Sequence, residues 1–319
     1  MKDHPVPHLA ITNGQVLLNG AFETGDVLLA DGVIAPDAHP TQRFDATGLL
    51  VLPGIVDLHG DAFERQLQPR PNVAFRHDFA LAETERQLLG CGITTAFHSV
   101  TLSWEPGLRG AEAWRLLLDA LDAGRPRFVC DMRVHLRWEA FNLDALNMAI
   151  DDIGQGRVHL LAFNDHTADI VHKIQKPAGA KFADRAGMDV KAFAALANAV
   201  AERAPEVPAA LDRIAAAARA RALPMASHDD DSIEMREAFA ARGAQISEFP
   251  VTEDVARFAR TRNDATVMGS PNVVRGKSHL GWVSAADMAE RDLCTILVSD
   301  YYYPCLTAAP FALADRGRV

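Results

Sequence analysis

Eight short apolar stretches, separated by longer segments of helical character, constrain the fold of this sequence most strongly. They span residues 54–61, 92–101, 127–139, 157–166, 223–230, 244–250, 265–271 and 294–300. Helical spacing of apolar residues and many alanines mark the segments between them, for example AEAWRLLLDALDAG and VPAALDRIAAAARARA. Eight such alternations predict an α/β fold, namely a (β/α)8 TIM barrel.

The first part of the chain has a different pattern. Short β-rich runs are broken here by Asn-Gly and Asp-Gly pairs, which are hairpin signals. We therefore expect a small, antiparallel, β-sandwich-like unit over residues 1–52. The barrel is expected to occupy residues 53–319.

Composition excludes several classes of function. The formal net charge is −10, and no block of lysines and arginines marks a nucleic-acid surface. The four cysteines are widely spaced, which is typical of reduced thiols rather than a disulfide framework. The sequence shows neither a signal-peptide pattern nor an apolar run near the ~20 residues of a membrane span. We expect a cytoplasmic protein that binds neither nucleic acid nor membranes.

Histidines and carboxylates fall at the ends of several predicted strands, where the catalytic residues of such barrels lie. The stretch GIVDLHGD ends the first strand with His59 and Asp61. Residues of the same kind at later strand ends are Glu139, Asp165, His166, His228, Asp229, Asp230, Glu248 and Asp300. Imidazoles and carboxylates are ligands of Zn²⁺ and similar cations.

Each of these residues alone also fits a structural role. The acidic run after His228 suits the N-cap of a following helix, for example. His98, near the end of the second strand, is expected to have a hydrogen-bonded core role, and His135, inside its strand, is expected to pack in the core. Recurrence of such side chains at one end of several strands nevertheless favours a metal site.

The segment LPGIVDLH (52–59), with its β-rich leader and a late strand ending in aspartate, resembles the amidohydrolase superfamily. The resemblance implies a metal-dependent hydrolase on a (β/α)8 barrel beside a small β-sandwich. Further strings resemble the diphosphohydrolases of the carbon–phosphorus lyase pathway, which cleave α-D-ribose 1-methylphosphonate 5-triphosphate to the 5-phosphate and diphosphate. They are HGDAFERQLQPRP (59–71), HLRWE (135–139), NDHT (164–167), ASHDD (226–230), SEFPVT (247–252), GSPNVVRGKSH (269–279) and SDYYYP (299–304).

The resemblance implies a site around one or two divalent ions, with zinc as the first expectation and manganese or iron as alternatives. The implied metal ligands are His59, Asp61, Glu139, His166, His228 and Asp300. Asp300 would also accept the proton of the attacking water as the catalytic base. Whether His166 or Glu248 completes the ligand set stays open at this stage.

A phosphorylated sugar substrate requires cations near the mouth of an acidic barrel. The candidates for substrate binding are Arg65, Arg137, Arg275, Lys277 and His279. Arginine suits this role because its planar guanidinium binds phosphate through two hydrogen bonds.

Some strings depart from the family pattern, namely DAFERQ (61–66), HTAD (166–169) and GKSHLGW (276–282). These departures leave the substrate more open than the reaction type. An amidohydrolase acting on a cyclic amide or an N-acyl group is therefore an alternative. The chain ends 19 residues after Asp300, where family members usually continue, so truncation or a non-catalytic barrel is a further alternative. A homo-oligomer also remains open.

Overall fold

The structure is a computed structural model that describes residues 8–70, 73–176, 179–276 and 283–317. The chain divides between Gly54 and Ile55 into two compact units.

The first unit contains one mixed sheet. Its strands are β1 (Leu9–Leu18), β2 (Ala21–Ala30), β3 (Val33–Ile34), β4 (Gln42–Asp45) and β5 (Leu50–Val51). The order is β3-β2-β1-β4, and β5 also pairs with β1. Since β4 and β5 run parallel to β1, the expectation of a wholly antiparallel unit is wrong for these two strands.

Asn-Gly and Asp-Gly pairs play two different roles in this sheet. Asn19-Gly20 connects β1 to β2, and Asp31-Gly32 connects β2 to β3, with positive φ at all four residues. Asn13-Gly14 lies instead inside β1, where the pairing with β2 changes register.

The second unit is a barrel of eight parallel strands. They are β6 (Ile55–Gly60), β7 (Ile93–Leu102), β8 (Asp131–Glu139), β9 (Leu160–Asn164), β10 (Met225–His228), β11 (Ile246–Glu248), β12 (Ala265–Gly269) and β13 (Ile296–Val298). Each strand pairs with its neighbour in sequence order. The two edges meet where Asp300 N donates to His59 O and Asp61 N donates to Asp300 O, both at 2.9 Å. The predicted (β/α)8 barrel is confirmed.

Helices surround the barrel strands. They are α1 (Glu64–Leu67), α2 (His77–Gly90), α3 (Ala111–Gly124), α4 (Leu146–Gly154), α5 (Thr167–Ile174), α6 (Ala180–Ala186), α7 (Val190–Ala201), α8 (Val207–Ala220), α9 (Ile233–Ala241), α10 (Glu253–Thr261), α11 (Ser270–Arg275), α12 (Ala285–Glu290) and α13 (Pro304–Asp315). Ser232 caps α9 by accepting from Met235 N, as the polar run before this helix predicts. Among the described residues, none of these helices has the length and apolarity needed to cross a bilayer.

Strand alternation explains how the barrel separates its core from its polar interior. Along β8, Leu136 and Trp138 belong to the main apolar core and are fully buried. Successive strand residues point to opposite faces, so His135, Arg137 and Glu139 share the other face. This arrangement directs polar groups to the barrel interior while the apolar side chains pack against neighbouring elements.

Candidate metal centre

The carboxylate of Glu248, at the end of β11, lies among three histidines from three other strands. Its Oε1 is 3.2 Å from Nδ1 of His59, and its Oε2 is 3.2 Å from Nδ1 of His228. Nε2 of His135 is 3.6 Å from the same Oε2. All four side chains are buried. The carboxyl ends of parallel strands meet on one face of a barrel, which explains why residues far apart in sequence converge here.

Ring packing fixes two of these histidines. The rings of His59 and His228 stack with centroids 5.3 Å apart, and Phe249 meets both edge-on at 4.9 and 5.2 Å. Phe249 adopts a φ of 52°, a sparsely populated conformation for a bulky residue. The position of its ring is therefore imposed by the surrounding structure rather than by local preference.

Burial keeps the two stacked histidines neutral. It lowers the pKa of both His59 and His228 well below the ordinary value, and the charge of Arg137 lowers each further. Nη2 of Arg137 is 2.9 Å from Nε2 of His228. A guanidinium only donates, so Nε2 of His228 accepts and its Nδ1 donates to Glu248. Neutral imidazole is the form that ligates metals.

His166 lies beside these residues at the start of α5. Its Nδ1 is 2.5 Å from Oε1 of Glu139, its backbone N–H donates to Oε2 of Glu139, and its Nε2 is 3.6 Å from Asp229. Burial disfavours the imidazolium, but the charge of Glu139, the nearby Asp229 carboxylate and the hydrogen bond to Glu139 raise the pKa of His166 to about 9. In the metal-free protein His166 is therefore a cation held by two carboxylates.

Two aspartates stand where β6 and the end of β13 meet. Burial and the charge of Glu64 raise the pKa of Asp61 to about 6. Burial and the charge of Asp61 raise the pKa of Asp300 to about 7. Asp300 lies against Gly269, where an added Cβ would be 2.9 Å from Asp300 Oδ2. The glycine at the end of β12 thus leaves room for the Asp300 carboxylate.

The predicted substrate-binding cations occupy two different environments. Arg137 is buried, and besides His228 its guanidinium approaches Asp61 at 3.8 Å. Arg65 and Arg275 are exposed and converge on Tyr301, the residue after Asp300. Arg65 lies 6.0 Å from the Tyr301 ring centroid, and Arg275 Nη1 donates to the Tyr301 hydroxyl at 3.1 Å. Lys277 and His279 lie outside the described residues.

Donor atoms come close enough to share a cation in two groups within the described part of the chain. The groups are His59, His228 and Glu248, and His166, His228 and Asp229, each with its donor atoms within 4.8 Å of one another. Asp61, Glu139 and Asp300 border these groups without belonging to either. The sequence left open whether His166 or Glu248 completes the ligand set. In the structure each of them belongs to a different group, and His228 belongs to both groups.

His135, which the sequence analysis assigned to packing, also contacts the Glu248 carboxylate. Its Nε2 is buried and has no hydrogen-bond partner among the residues that the structure describes. An orphaned imidazole nitrogen beside neutral histidines and a carboxylate suits a bound cation, because burying it unpaired has a cost in free energy. The residues present therefore fit a divalent metal. His98 packs edge-on against Phe63 at 5.1 Å, in keeping with its expected core position. Its Nε2 is also buried with no hydrogen-bond partner among the described residues, so the hydrogen bond expected for this core histidine is not seen at that nitrogen.

Comparisons with known proteins agree with this geometry. No family model matches the sequence. Two solved structures superpose with a TM-score of 0.55. One is a triazine hydrolase variant, 14% identical, with 95% of this chain and 74% of that chain covered. The other is an uncharacterised metal-dependent hydrolase from Pyrococcus horikoshii OT3, 11% identical, with 98% and 87% covered. The chain therefore shares the barrel fold of these two hydrolases.

A curated relative adds sequence similarity to this likeness in fold. The α-D-ribose 1-methylphosphonate 5-triphosphate diphosphatase of Escherichia coli K12 is 29% identical over 325 aligned positions. The alignment covers 96% of this chain and 84% of the relative. The chain therefore resembles these two hydrolases in fold and this diphosphatase in sequence.

Proposed function

We propose that this protein is a metal-dependent hydrolase of the amidohydrolase type that acts on phosphoric anhydrides. Its proposed substrate is α-D-ribose 1-methylphosphonate 5-triphosphate, cleaved to the 5-phosphate and diphosphate. One observation carries the proposal: Glu248, His59 and His228 converge at the carboxyl face of the barrel. The similarity to the Escherichia coli diphosphatase over nearly the whole chain supports the choice of substrate.

The proposed cofactor is a divalent metal, with zinc first and manganese or iron as alternatives. His59, His228 and Glu248 would hold it, and the group containing His166 and Asp229 would accept a second ion. When bound, such an ion polarises a phosphoryl oxygen and lowers the pKa of a bound water from 15.7 to about 7.

Asp300 is proposed as the group that accepts the proton of the attacking water. Asp300 follows the strand that lies next to His59, and in the metal-free protein burial and the charge of Asp61 raise its pKa to about 7. A general base works best when its pKa lies near the operating pH. Asp61 and Arg137 tune this value in opposite directions, the carboxylate raising it and the guanidinium lowering it.

The arginines are proposed to bind the phosphate groups. A triphosphate carries about four negative charges, so its binding to this acidic chain requires local cations. Arg137 offers a buried guanidinium beside His228, whereas Arg65 and Arg275 offer exposed ones on either side of Tyr301. The buried cation suits a group near the reacting phosphorus, and the exposed pair suits the rest of the phosphate chain.

Diphosphate release tests this proposal directly. We expect the purified protein to release diphosphate from the ribose triphosphate, to lose the activity with a chelator, and to regain it with added Zn²⁺. The same preparation should be tried on a cyclic amide and on an N-acyl amino acid. Hydrolysis of these compounds instead would replace the proposed substrate class, and undiminished activity after complete metal removal would contradict the proposed cofactor.

A further inference from the structure

A serine stands directly before three of the groups assembled at the barrel face. The pairs are Ser227-His228 in β10, Ser247-Glu248 in β11 and Ser299-Asp300 after β13. Adjacent strand residues point to opposite sides, so the hydroxyls of Ser227 and Ser247 lie behind the groups that enter the site. All three serines are fully buried. Their hydroxyl groups must therefore find partners away from the site.

One buried carboxylate oxygen binds the first two serines. Oδ2 of Asp230 accepts from the Ser227 hydroxyl at 2.5 Å and from the Ser247 hydroxyl at 3.1 Å. Ser227 and Ser247 are partners in the pairing of β10 with β11, as are His228 and Glu248. Asp230 thus links β10 to β11 through Ser227 and Ser247. The next residue on each strand is His228 or Glu248, and these two share a hydrogen bond.

A second buried carboxylate binds the third serine in a similar way. Oδ1 of Asp57 accepts from the Ser299 backbone N–H at 3.0 Å, and its Oδ2 accepts from the Ser299 hydroxyl. Asp57 lies two residues before His59 on β6, and its Oδ1 also accepts from the His59 backbone N–H at 3.4 Å. Asp57 therefore joins β6 to the end of β13 beside His59 and Asp300.

Arg236 completes the first of these networks. The guanidinium, fully buried on α9, lies 3.4 Å from Oδ2 of Asp230 and 3.4 Å from Asp264, and it donates to the Ile246 carbonyl at 3.2 Å. It also donates to the Ser227 hydroxyl. A buried carboxylate needs such a partner, because an unpaired charge in the core is strongly destabilising.

We propose that Asp57 and Asp230 are positioning residues that fix the metal-binding groups in pairs, acting through the three serines. This inference rests on the proposed metal centre and adds to it residues that touch neither metal nor substrate. Asp230 sets the separation of His228 from Glu248, and Asp57 sets that of His59 from Asp300. Partners behind metal ligands typically contribute about 10- to 100-fold in metal affinity.

Serine variants test this more cleanly than aspartate variants, since loss of Asp230 would leave Arg236 unpaired and could unfold the protein. The variants are Ser227→Ala, Ser247→Ala and Ser299→Ala. Thr266→Val is the matched control, because Thr266 pairs with Ser247 across β11 and β12 and its buried hydroxyl donates instead to Leu293 O. Zn²⁺ affinity is measured by competition with a chromogenic chelator, and stability by urea unfolding of the metal-free proteins.

We expect Ser227→Ala and Ser247→Ala to weaken Zn²⁺ binding by about 10-fold or more. Thr266→Val should stay within about threefold of wild type despite a similar loss of stability. Ser299→Ala, next to the proposed base, should lower kcat more than it raises KM. Wild-type zinc affinity in all three serine variants, or an equal loss of zinc affinity in Thr266→Val, would overturn this inference and leave the proposed metal centre standing. A wild-type protein that binds no Zn²⁺ would overturn the metal centre and this inference together.

Discussion

Oε1 of Glu248 lies 3.2 Å from Nδ1 of His59, although the two residues are 189 positions apart in the chain. The other oxygen of the same carboxylate is equally close to His228. Burial raises the pKa of Glu248, while nearby His135 and Arg137 lower it. One acid thus stands between the first and fifth strands of the barrel and links their histidines.

Replacing Glu248 by glutamine tests whether this carboxylate holds a metal. The amide has the same size but no negative charge, so Zn²⁺ affinity should fall by at least about 10-fold and diphosphate release should fall with it. Asp152→Asn is a matched control, because Asp152 is a buried acid that accepts from Trp114 Nε1 at 2.8 Å outside the site. Equal zinc affinity in wild type and Glu248→Gln would remove Glu248 from the ligand set.

Gly269 tests the placement of Asp300. In Gly269→Ala the new Cβ would stand 2.9 Å from Asp300 Oδ2 and 3.5 Å from its Cγ, so the carboxylate must move. A misplacement near 1 Å can cost about 100-fold in rate, and we expect a loss of kcat of that order. Gly154→Ala is the control, since Gly154 ends α4 and, apart from its own helix and chain neighbours, no atom of the described residues lies within 4 Å of the added Cβ. A variant that keeps full kcat would show that Asp300 needs no such space.

Glu139 is expected to control the charge of His166. Glu139→Gln removes the charge that raises the pKa of His166 to about 9, so this pKa should fall toward 6.5 in the metal-free protein. Titration of the imidazole resonances by NMR measures the change, with the exposed Glu112→Gln as the control. An unchanged titration would mean that Asp229 rather than Glu139 sustains the imidazolium.

The barrel could be predicted from the sequence because its strands and helices repeat a strong local pattern. All eight predicted strands overlap observed ones, and α3 coincides with the segment AEAWRLLLDALDAG. The first unit was harder, since the parallel pairing of β4 and β5 with β1 depends on contacts distant in sequence.

The site was predictable in its location but not in its pairings. Strand ends directed attention to His59 and His228, whereas the position of Glu248 between them depends on the register of β10 and β11. A local signal for His135 did exist. The alternation in DMRVHLRWE places His135 on the same side of β8 as Arg137 and Glu139, and thus inside the barrel. The sequence analysis assigned His135 to packing because the residue lies inside its strand and not at the strand end, without considering which face of the strand it occupies.

Tyr301 should organise the two exposed arginines. Tyr301→Phe keeps the ring beside Arg65 and removes only the hydroxyl that accepts from Arg275. If these arginines bind the phosphate chain, KM for the triphosphate should rise by about 3- to 10-fold with kcat within about twofold. The control is Tyr302→Phe, which removes the hydroxyl of the neighbouring, half-exposed tyrosine. A fall in kcat at unchanged KM would place Tyr301 in the chemical step instead.

Asp300 should leave a signature in the pH dependence of stability of the metal-free protein. Its pKa is raised from 3.8 to about 7 in the folded state, chiefly by burial and then by Asp61. Between pH 3.8 and 7 the Asp300 carboxyl group is protonated in the folded protein and ionised in the unfolded chain. The stability that the protonated carboxyl group contributes is therefore fully present below pH 3.8 and is lost as pH rises through 7. Asp300→Asn abolishes the titration. The free energy of unfolding of wild type minus that of the variant should therefore fall as pH rises from about 5 to 8, by on the order of 1 kcal/mol after allowance for partial exposure.

Urea unfolding at several pH values, with chelator present throughout, measures this difference. Asp231→Asn, a change at an exposed aspartate, controls for the loss of one negative charge. Other groups that titrate in this range, such as His166, are present in all three proteins and largely cancel in the difference. A difference that is flat or that rises with pH would show that Asp300 is ionised at neutral pH in the folded protein. In that case the Asp300 carboxylate would be ionised at neutral pH without a bound metal ion.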